Sequence, residues 1–196
     1  MALNKNSNMI VGLDIGTSKV VCIVGKYNNE NKLEIVALGA YPSSGLKKGV
    51  VVNIDATTDA ISKAVEQAQS MIEEKIKSVF VGIAGNHIKS LNSQGAVGIR
   101  DKEVTSYDID RVIDSAQAVS IPSDQRVLHV LPQEFVIDGQ EVSLDPLGMS
   151  GVRLEAKVHL VTCANSAIKN IGKCIKNCGL SVDGFVLEQL ASSHSI

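Results

Sequence analysis

The apolar positions of the first 84 residues fall in short, dense blocks. Ile10-Val11-Gly12-Leu13-Asp14-Ile15 reads as a buried strand with an acidic residue near its end. A tight Gly16-Thr17-Ser18 turn follows, and the chain returns through Val20-Val21-Cys22-Ile23-Val24, nearly continuous in β-branched residues and so predicted as a central strand. Leu33–Tyr41 gives a third strand, and the Pro, Ser and Gly content of 42–49 predicts a surface loop. After 50–54 the period changes. Ile61, Ala64, Val65, Ala68, Met71 and Ile72 fit one face of a helix, with its cap expected near Asp55. Ser78–Ala84 is a fourth strand. Three strands, a helix and a strand make half of an α/β domain.

From Gly85 the pattern is different. His87–Leu91 and Ala96–Ile99 read as two short, half-exposed strands. Thr105-Ser106-Tyr107-Asp108 is a capping box, opening a helix with Ile109, Val112, Ile113, Ala116 and Val119 on one face and ending before Pro122. Two more strands, Arg126–Leu131 and Gln133–Ile137, are expected to meet at Pro132, which suits an edge or a bend. Asp138-Gly139 marks a turn. Val152, Leu154, Ala156, Val158 and Leu160 then alternate with Arg153, Glu155, Lys157 and His159, the signature of an antiparallel strand with one wet face. It continues into Val161-Thr162-Cys163. A helix follows from an Asn165 cap, with Ile168, Ile171, Ile175 and Cys178 inward and Gly179 closing it, and Val182–Glu188 returns as a strand. Residues 190–196 read as the first turn of a helix that is not capped, so a piece truncated at its C-terminus is expected. The organisation predicted is an α/β domain of residues 1–84 and 158–196, interrupted by an inserted α+β subdomain of residues 85–157.

Charge supports that division. The insertion carries seven basic and eleven acidic residues, net −4, against net +2 elsewhere. The whole chain of 196 residues has net charge −2, which predicts no general affinity for nucleic acid or an acidic membrane. Aromatics are 3% with no Trp, too few for a stacking platform. Neither a signal peptide nor a membrane span is present in the sequence, since Asp14 breaks the first apolar run. Cys22, Cys163, Cys174 and Cys178 lie in apolar patterns and read as reduced thiols.

Candidate chemistry gathers at the first turn. Its backbone N–H groups and the hydroxyls of Thr17 and Ser18, with Gly16, could cradle phosphate oxygens. Asp14 could hold Mg²⁺ through water, and Lys19 could add a point charge toward phosphate. The same residues also suit a polar hairpin between two core strands, and short glycine motifs leave both readings open. A second group of candidates is acidic: Asp101, Glu103, Asp108, Asp110 and Asp114, around the Thr105-capped helix. Helix capping and a solvated face are the alternative for these.

Gly12-Leu13-Asp14-Ile15-Gly16-Thr17-Ser18 resembles the first phosphate motif of the actin, Hsp70 and sugar-kinase superfamily. His129-Val130-Leu131-Pro132-Gln133-Glu134-Phe135 and the run from Gly148 to His159 resemble the FtsA family of bacterial cell-division proteins, over nearly the whole chain and in its N-terminal half. Leu187-Glu188-Gln189-Leu190-Ala191-Ser192-Ser193 looks like the first connecting motif of that fold, with Gln189 where Pro is common, and Ser44 stands where relatives often carry Arg. The resemblance implies an actin/Hsp70-like (ribonuclease H-like) α/β domain, subdomain 1A, with the insertion as subdomain 1C. It implies ATP and Mg²⁺ as cofactors of the intact protein, with Gly16, Thr17, Ser18 and Lys19 toward the phosphates and Asp14 toward the metal. ATPase activity is expected to be weak or absent, and this piece, holding half a nucleotide site, inactive. Implied partners are FtsZ, through a C-terminal region outside these residues, and the FtsN cytoplasmic tail or other division proteins at subdomain 1C, with self-association into filaments. Subdomain 1C is where the five acidic residues stand. The place implied is the cytoplasmic side of the inner membrane, reached through a C-terminal helix also outside these residues. The pilus-assembly protein PilM, and less closely a sugar kinase, are the rival readings.

Overall fold

The computed structural model describes residues 9–142 and 145–194, and the chain divides into two compact units. The first comprises Met1–His87 and Asn165–Ile196, the second Ile88–Ala164. Each has its own hydrophobic cluster.

The first unit is built on a five-stranded sheet. β1 (Met9–Ile15) and β2 (Lys19–Tyr27) form the expected hairpin, antiparallel with Ile15 opposite Val20, and β3 (Leu33–Pro42) continues the meander. β6 (Ser78–Ile83) runs parallel to β1, and β11 (Ser181–Leu187) runs parallel to β6, giving the order β11-β6-β1-β2-β3. Residues 42–49, expected as loop, contain half of a small hairpin of β4 (Leu46–Lys47) and β5 (Val50–Val51). Lys48 and Gly49 both have positive φ there, the geometry of a two-residue turn that matches strand twist.

α1 (Ile54–Gln69) packs on this sheet. Its cap is Asn53, two residues before the expected Asp55. Asn53 is extended at φ −142°, and its side-chain oxygen accepts from the Ala56 N–H at 3.0 Å, which leaves Asp55 in the first turn. Ala60, Ile61, Ala64 and Ala68 are buried on the side facing β2 and β3, but Met71 lies past the helix end and is exposed, not inward. Small residues are required at this contact. A Cβ on Gly39 of β3 would run into the carbonyl oxygen of Ala64. α3 (Asn165–Asn177) buries Ile171, Cys174 and Ile175 in the same core, while Cys178 is half-buried. It ends as expected at Gly179 (φ +74°), with Leu180 N–H donating to Ile175 and Gly179 N–H to Lys176. β11 stops at Leu187, and Glu188 starts α4 (Glu188–Ser193) instead of ending the strand. Residues 195–196 of the expected last helix lie outside the described residues.

In the second unit two expected strand pairs are single long strands. β7 (Ile88–Gly98) is continuous through Asn92-Ser93-Gln94-Gly95, and β8 (Gln125–Ile137) is continuous through Pro132. The first was hidden by its polar centre, which is where α2 (Ser106–Gln117) sits: a Cβ on Gly95 would strike the backbone of Val112 and Ala116. The second is tolerated at an irregularity: the pairing of β8 with the strand of residues 153–164 shifts register beside Pro132, which lies opposite Val158, and on the other side β9 (Gln140–Val142) pairs only with Phe135–Ile137. β10 (Arg153–Ala164) is the centre of the sheet, in the order β7-β10-β8-β9. It pairs with β7 in unbroken register from Arg153–Gly98 to Cys163–Ile88, so it lies whole in this unit and the boundary falls at Ala164, not Lys157. Val152, expected on its buried face, precedes the strand and is 68% exposed. Val112, Ala116, Leu154, Ala156, Val158 and Leu160 form the core.

Three glycines test this packing. Gly39→Ala and Gly95→Ala are each expected to cost roughly 1–3 kcal/mol, because helix backbone occupies the space. Gly172→Ala, in α3 with no atom within 4 Å of the new Cβ, is expected to stabilise by up to about 1 kcal/mol. Urea midpoints of the three variants check the order, and equal effects at all three would show the helix contacts to be wrong.

Candidate functional site

Parallel strands β1, β6 and β11 end side by side, and in open α/β sheets ligands bind beyond the carboxyl ends of such strands. Register fixes who meets there. Asp14 of β1 lies opposite Gly82 of β6, and Gly82 lies opposite Val186 of β11, two residues before Glu188. Gly82 has no side chain to intervene. A Cβ there would stand 3.2 Å from Cγ of Glu188, so the Glu188 side chain lies across the end of β6 and reaches Asp14.

The two carboxyl groups share a hydrogen bond. Partial burial, then the charge of Asp14, then that hydrogen bond raise the Glu188 carboxyl from 4.5 to about 7. A half-buried carboxyl beside a second one holds its proton because both cannot ionise cheaply in one place. Asp14 itself is exposed.

The turn next to this pair is short. Gly16 N–H donates to the Lys19 carbonyl at 3.0 Å, and a Cβ on Gly16 would meet that oxygen at 3.0 Å, so glycine suits the position. Ser43 N–H donates to the Ser18 carbonyl at 3.0 Å and anchors the turn to the end of β3. Thr17, Ser18 and Lys19 are exposed. Ser44, two residues before the β4–β5 hairpin, donates its hydroxyl to the Ala56 carbonyl at 3.2 Å, and Thr57 donates back to the Ser44 carbonyl at 3.3 Å. Ser44 therefore fastens the loop to α1.

Asp14 and Glu188 fit a hard cation that keeps most of its water. Among the described residues there is no group of three or more His, Cys, Asp or Glu side chains that could hold a metal. A pair of carboxyls of which one is exposed is the kind of donor set that a cation keeping several waters takes, and not a closed protein cage. Glu188 was missed in the sequence because it reads as the end of a strand. Only the placement of β6 between β1 and β11 puts it beside Asp14.

The five acidic residues of the second unit do not act as one group. Asp108 is fully buried and cannot be a docking contact. Its carboxylate accepts from the Thr105 hydroxyl at 2.7 Å and from Arg111 at 3.1 Å, and the bond from Thr105 leads the causes that hold its carboxyl below the usual range. The capping box needs this residue for itself. Asp101, Glu103, Asp110 and Asp114 lie outside, Asp101 in a left-handed turn (φ +56°) with Lys102, and Arg100 and Arg111 flank the exposed Tyr107 ring at 5.1 and 5.6 Å. The surface is mixed in sign.

Comparison with known proteins adds three findings. Residues 85–162 match a family described as the SHS2 domain inserted in FtsA. The whole chain is 61% identical to the cell division protein FtsA of Pseudomonas aeruginosa, and 99% of it is 49% identical to that of Neisseria meningitidis. It spans about half the length of these relatives, 47% in each case. Among solved structures, a PilM–PilN type IV pilus biogenesis complex aligns with 94% of this chain and 49% of its own, at TM-score 0.66 and 14% identity. That likeness shows the fold alone. With the inserted domain, it makes the chain an α/β protein of the actin-like fold carrying an inserted subdomain.

The carboxyl pair predicts a pH dependence of known sign. Glu188 keeps its proton to higher pH folded than unfolded, so its contribution to stability is present below pH 4.5 and is lost as pH rises toward 7. The loss is on the order of 1–3 kcal/mol. Glu188→Gln is expected to remove this component and leave the variant more stable than the parent above pH 7. Paired urea titrations across the window check it, and superimposable pH profiles would dissolve the pair.

Proposed function

We infer the role of this chain from the family it belongs to, the FtsA cell-division proteins, whose N-terminal half it matches. The reading is an actin-like division scaffold that, as an intact protein, binds ATP with Mg²⁺, self-assembles, links FtsZ to the membrane and recruits division proteins through its inserted subdomain. The observation that carries the nucleotide part is the meeting of Asp14 and Glu188 beside the Gly16–Ser18 turn, at the carboxyl ends of parallel strands.

The chain's own residues suit that role as follows. Asp14 and Glu188 would hold Mg²⁺, and the metal would supply positive charge to the phosphates. Before that, Glu188 holds a proton that a cation would displace, since a nearby positive charge favours the ionised form. The exposed hydroxyls of Thr17 and Ser18 and the backbone of the short turn offer donors to phosphate oxygens, and Lys19 offers a screened, exposed charge. No second Asp-x-Gly-Gly-Thr motif occurs in the sequence. A site enclosing base and ribose would need further chain, because small-molecule sites cover most of their ligand.

Recruitment rests on the second unit. β7 is an 11-residue strand at the edge of the four-stranded sheet, and Asp101, Glu103, Asp110 and Asp114 are exposed in the same unit, net −4. An FtsN-like basic tail could pair with the edge as an added strand while the field raises its association rate. Binding of such a tail is expected to weaken with salt and with combined Asp101→Asn, Asp110→Asn and Asp114→Asn changes, read by fluorescence anisotropy. Salt-independent binding would exclude the electrostatic part.

For the nucleotide site, calorimetry is expected to give weak or no Mg-ATP binding to residues 1–196. In the full-length protein, Asp14→Ala is expected to impair ATP binding or ATP-dependent assembly. Wild-type behaviour in both assays would take Asp14 out of the site.

A further inference from the structure

The exposed side of α3 carries Lys169, Lys173 and Lys176 and not one carboxylate. Their spacing of four and three residues puts them on one stripe about 10 Å long. Across a shallow groove of about 550 Å³, lined also by Gly172, Gly179, Leu180, Ser181 and Val182, stands Lys77. None of the described ion pairs involves any of these four lysines. Elsewhere in the unit, Lys63 pairs with Asp59 on its own helix, Lys26 with Glu74 and Lys32 with Glu30. The flanking strand adds one exposed carboxylate, Asp183.

Four unpaired like charges repel one another, and nothing inside the unit repays that. Gly172 on the same face has the same character. It weakens a helix interior, and no atom within 4 Å requires its smallness. Both features suit a contact made from outside. The composition decides its kind. Protein interfaces favour Tyr, Trp, Met and Arg and are poor in Lys, and this face carries no exposed aromatic, Met or Arg. Lysines act as hydrated point charges without forked geometry, which suits a diffuse anionic surface.

We propose that the Lys77, Lys169, Lys173 and Lys176 face of the first unit docks on anionic lipid headgroups. This goes beyond the reading above, which places the membrane contact outside residues 1–196, and it does not depend on that reading. It also overrides the expectation drawn from the net charge of −2, which averages this face with an acidic second unit.

The test is flotation of the chain with vesicles of phosphatidylcholine alone and of phosphatidylcholine with phosphatidylglycerol. Partitioning is expected to be more than about tenfold greater on the anionic vesicles, each Lys→Gln change costing roughly fivefold. It is expected to vanish between about 0.1 and 1 M salt as the screening length contracts. The combined K77Q, K169Q, K173Q and K176Q variant is expected to stay in solution, while the same four changed to Arg still float. Equal binding to both vesicle types, or undiminished binding by the Gln variant, overturns the proposal. Binding to soluble polyglutamate or to duplex DNA with vesicles left bare also overturns it, and reassigns the face to an acidic protein or a nucleic acid. The four side chains are exposed, so matching thermal melts are expected for all variants and separate a docking defect from misfolding.

Discussion

The parallel pairing of β6 with both β1 and β11 is the constraint on which the first unit depends. It closes the sheet's order, so that an N-terminal hairpin and a strand from the far end of the chain become neighbours. It sets Asp14, Gly82 and Val186 in one row, and the Glu188 side chain lies across Gly82. Helix packing follows from the same sheet. α1 and α3 must share one face of it, and the backbone of α1 comes down on Gly39. Where cores fit this closely, small residues at crossing points are part of the fold's specification.

Much of this was legible in the residues themselves. The β1–β2 hairpin, the α1 face, the capping box at Thr105 and the Gly179 stop are local signals, set by period and by backbone chemistry within a few residues. What escaped was nonlocal. Gln94-Gly95 and Pro132 look like strand breaks until α2 is seated over the first and the second falls at a register shift, outside the pairing of the short β9. Asp108 looked available for a partner, although the capping box that was itself read correctly already claims its oxygens. At the candidate site, one carboxylate could be read from its turn. The other could not, because its meaning lies in a strand register that brings together two residues 174 positions apart, Asp14 and Glu188.

Electrostatics shows the same division between local and summed quantities. A net charge of −2 describes neither unit. Within the second unit, acidic residues alternate with Arg100, Lys102 and Arg111, and one carboxylate is buried with its own cation. Within the first, one helix face is wholly cationic. Interactions at the surface decay over about a Debye length, roughly 10 Å at ordinary salt, so a binding partner responds to the face it meets and not to the total.

The second unit enters and leaves through neighbouring strands: Ile88 at the start of β7 lies opposite Cys163 near the end of β10. Paired residues of antiparallel strands stand about 5 Å apart, close enough to be joined by a few residues of turn. The seventy-odd residues between therefore behave as a cassette. A short splice from His87 to Asn165 would restore a continuous path for the host chain without pulling β6 and α3 apart. The same geometry lets the cassette lengthen, shrink or be exchanged over evolutionary time while the strand ends that assemble Asp14 and Glu188 are left untouched.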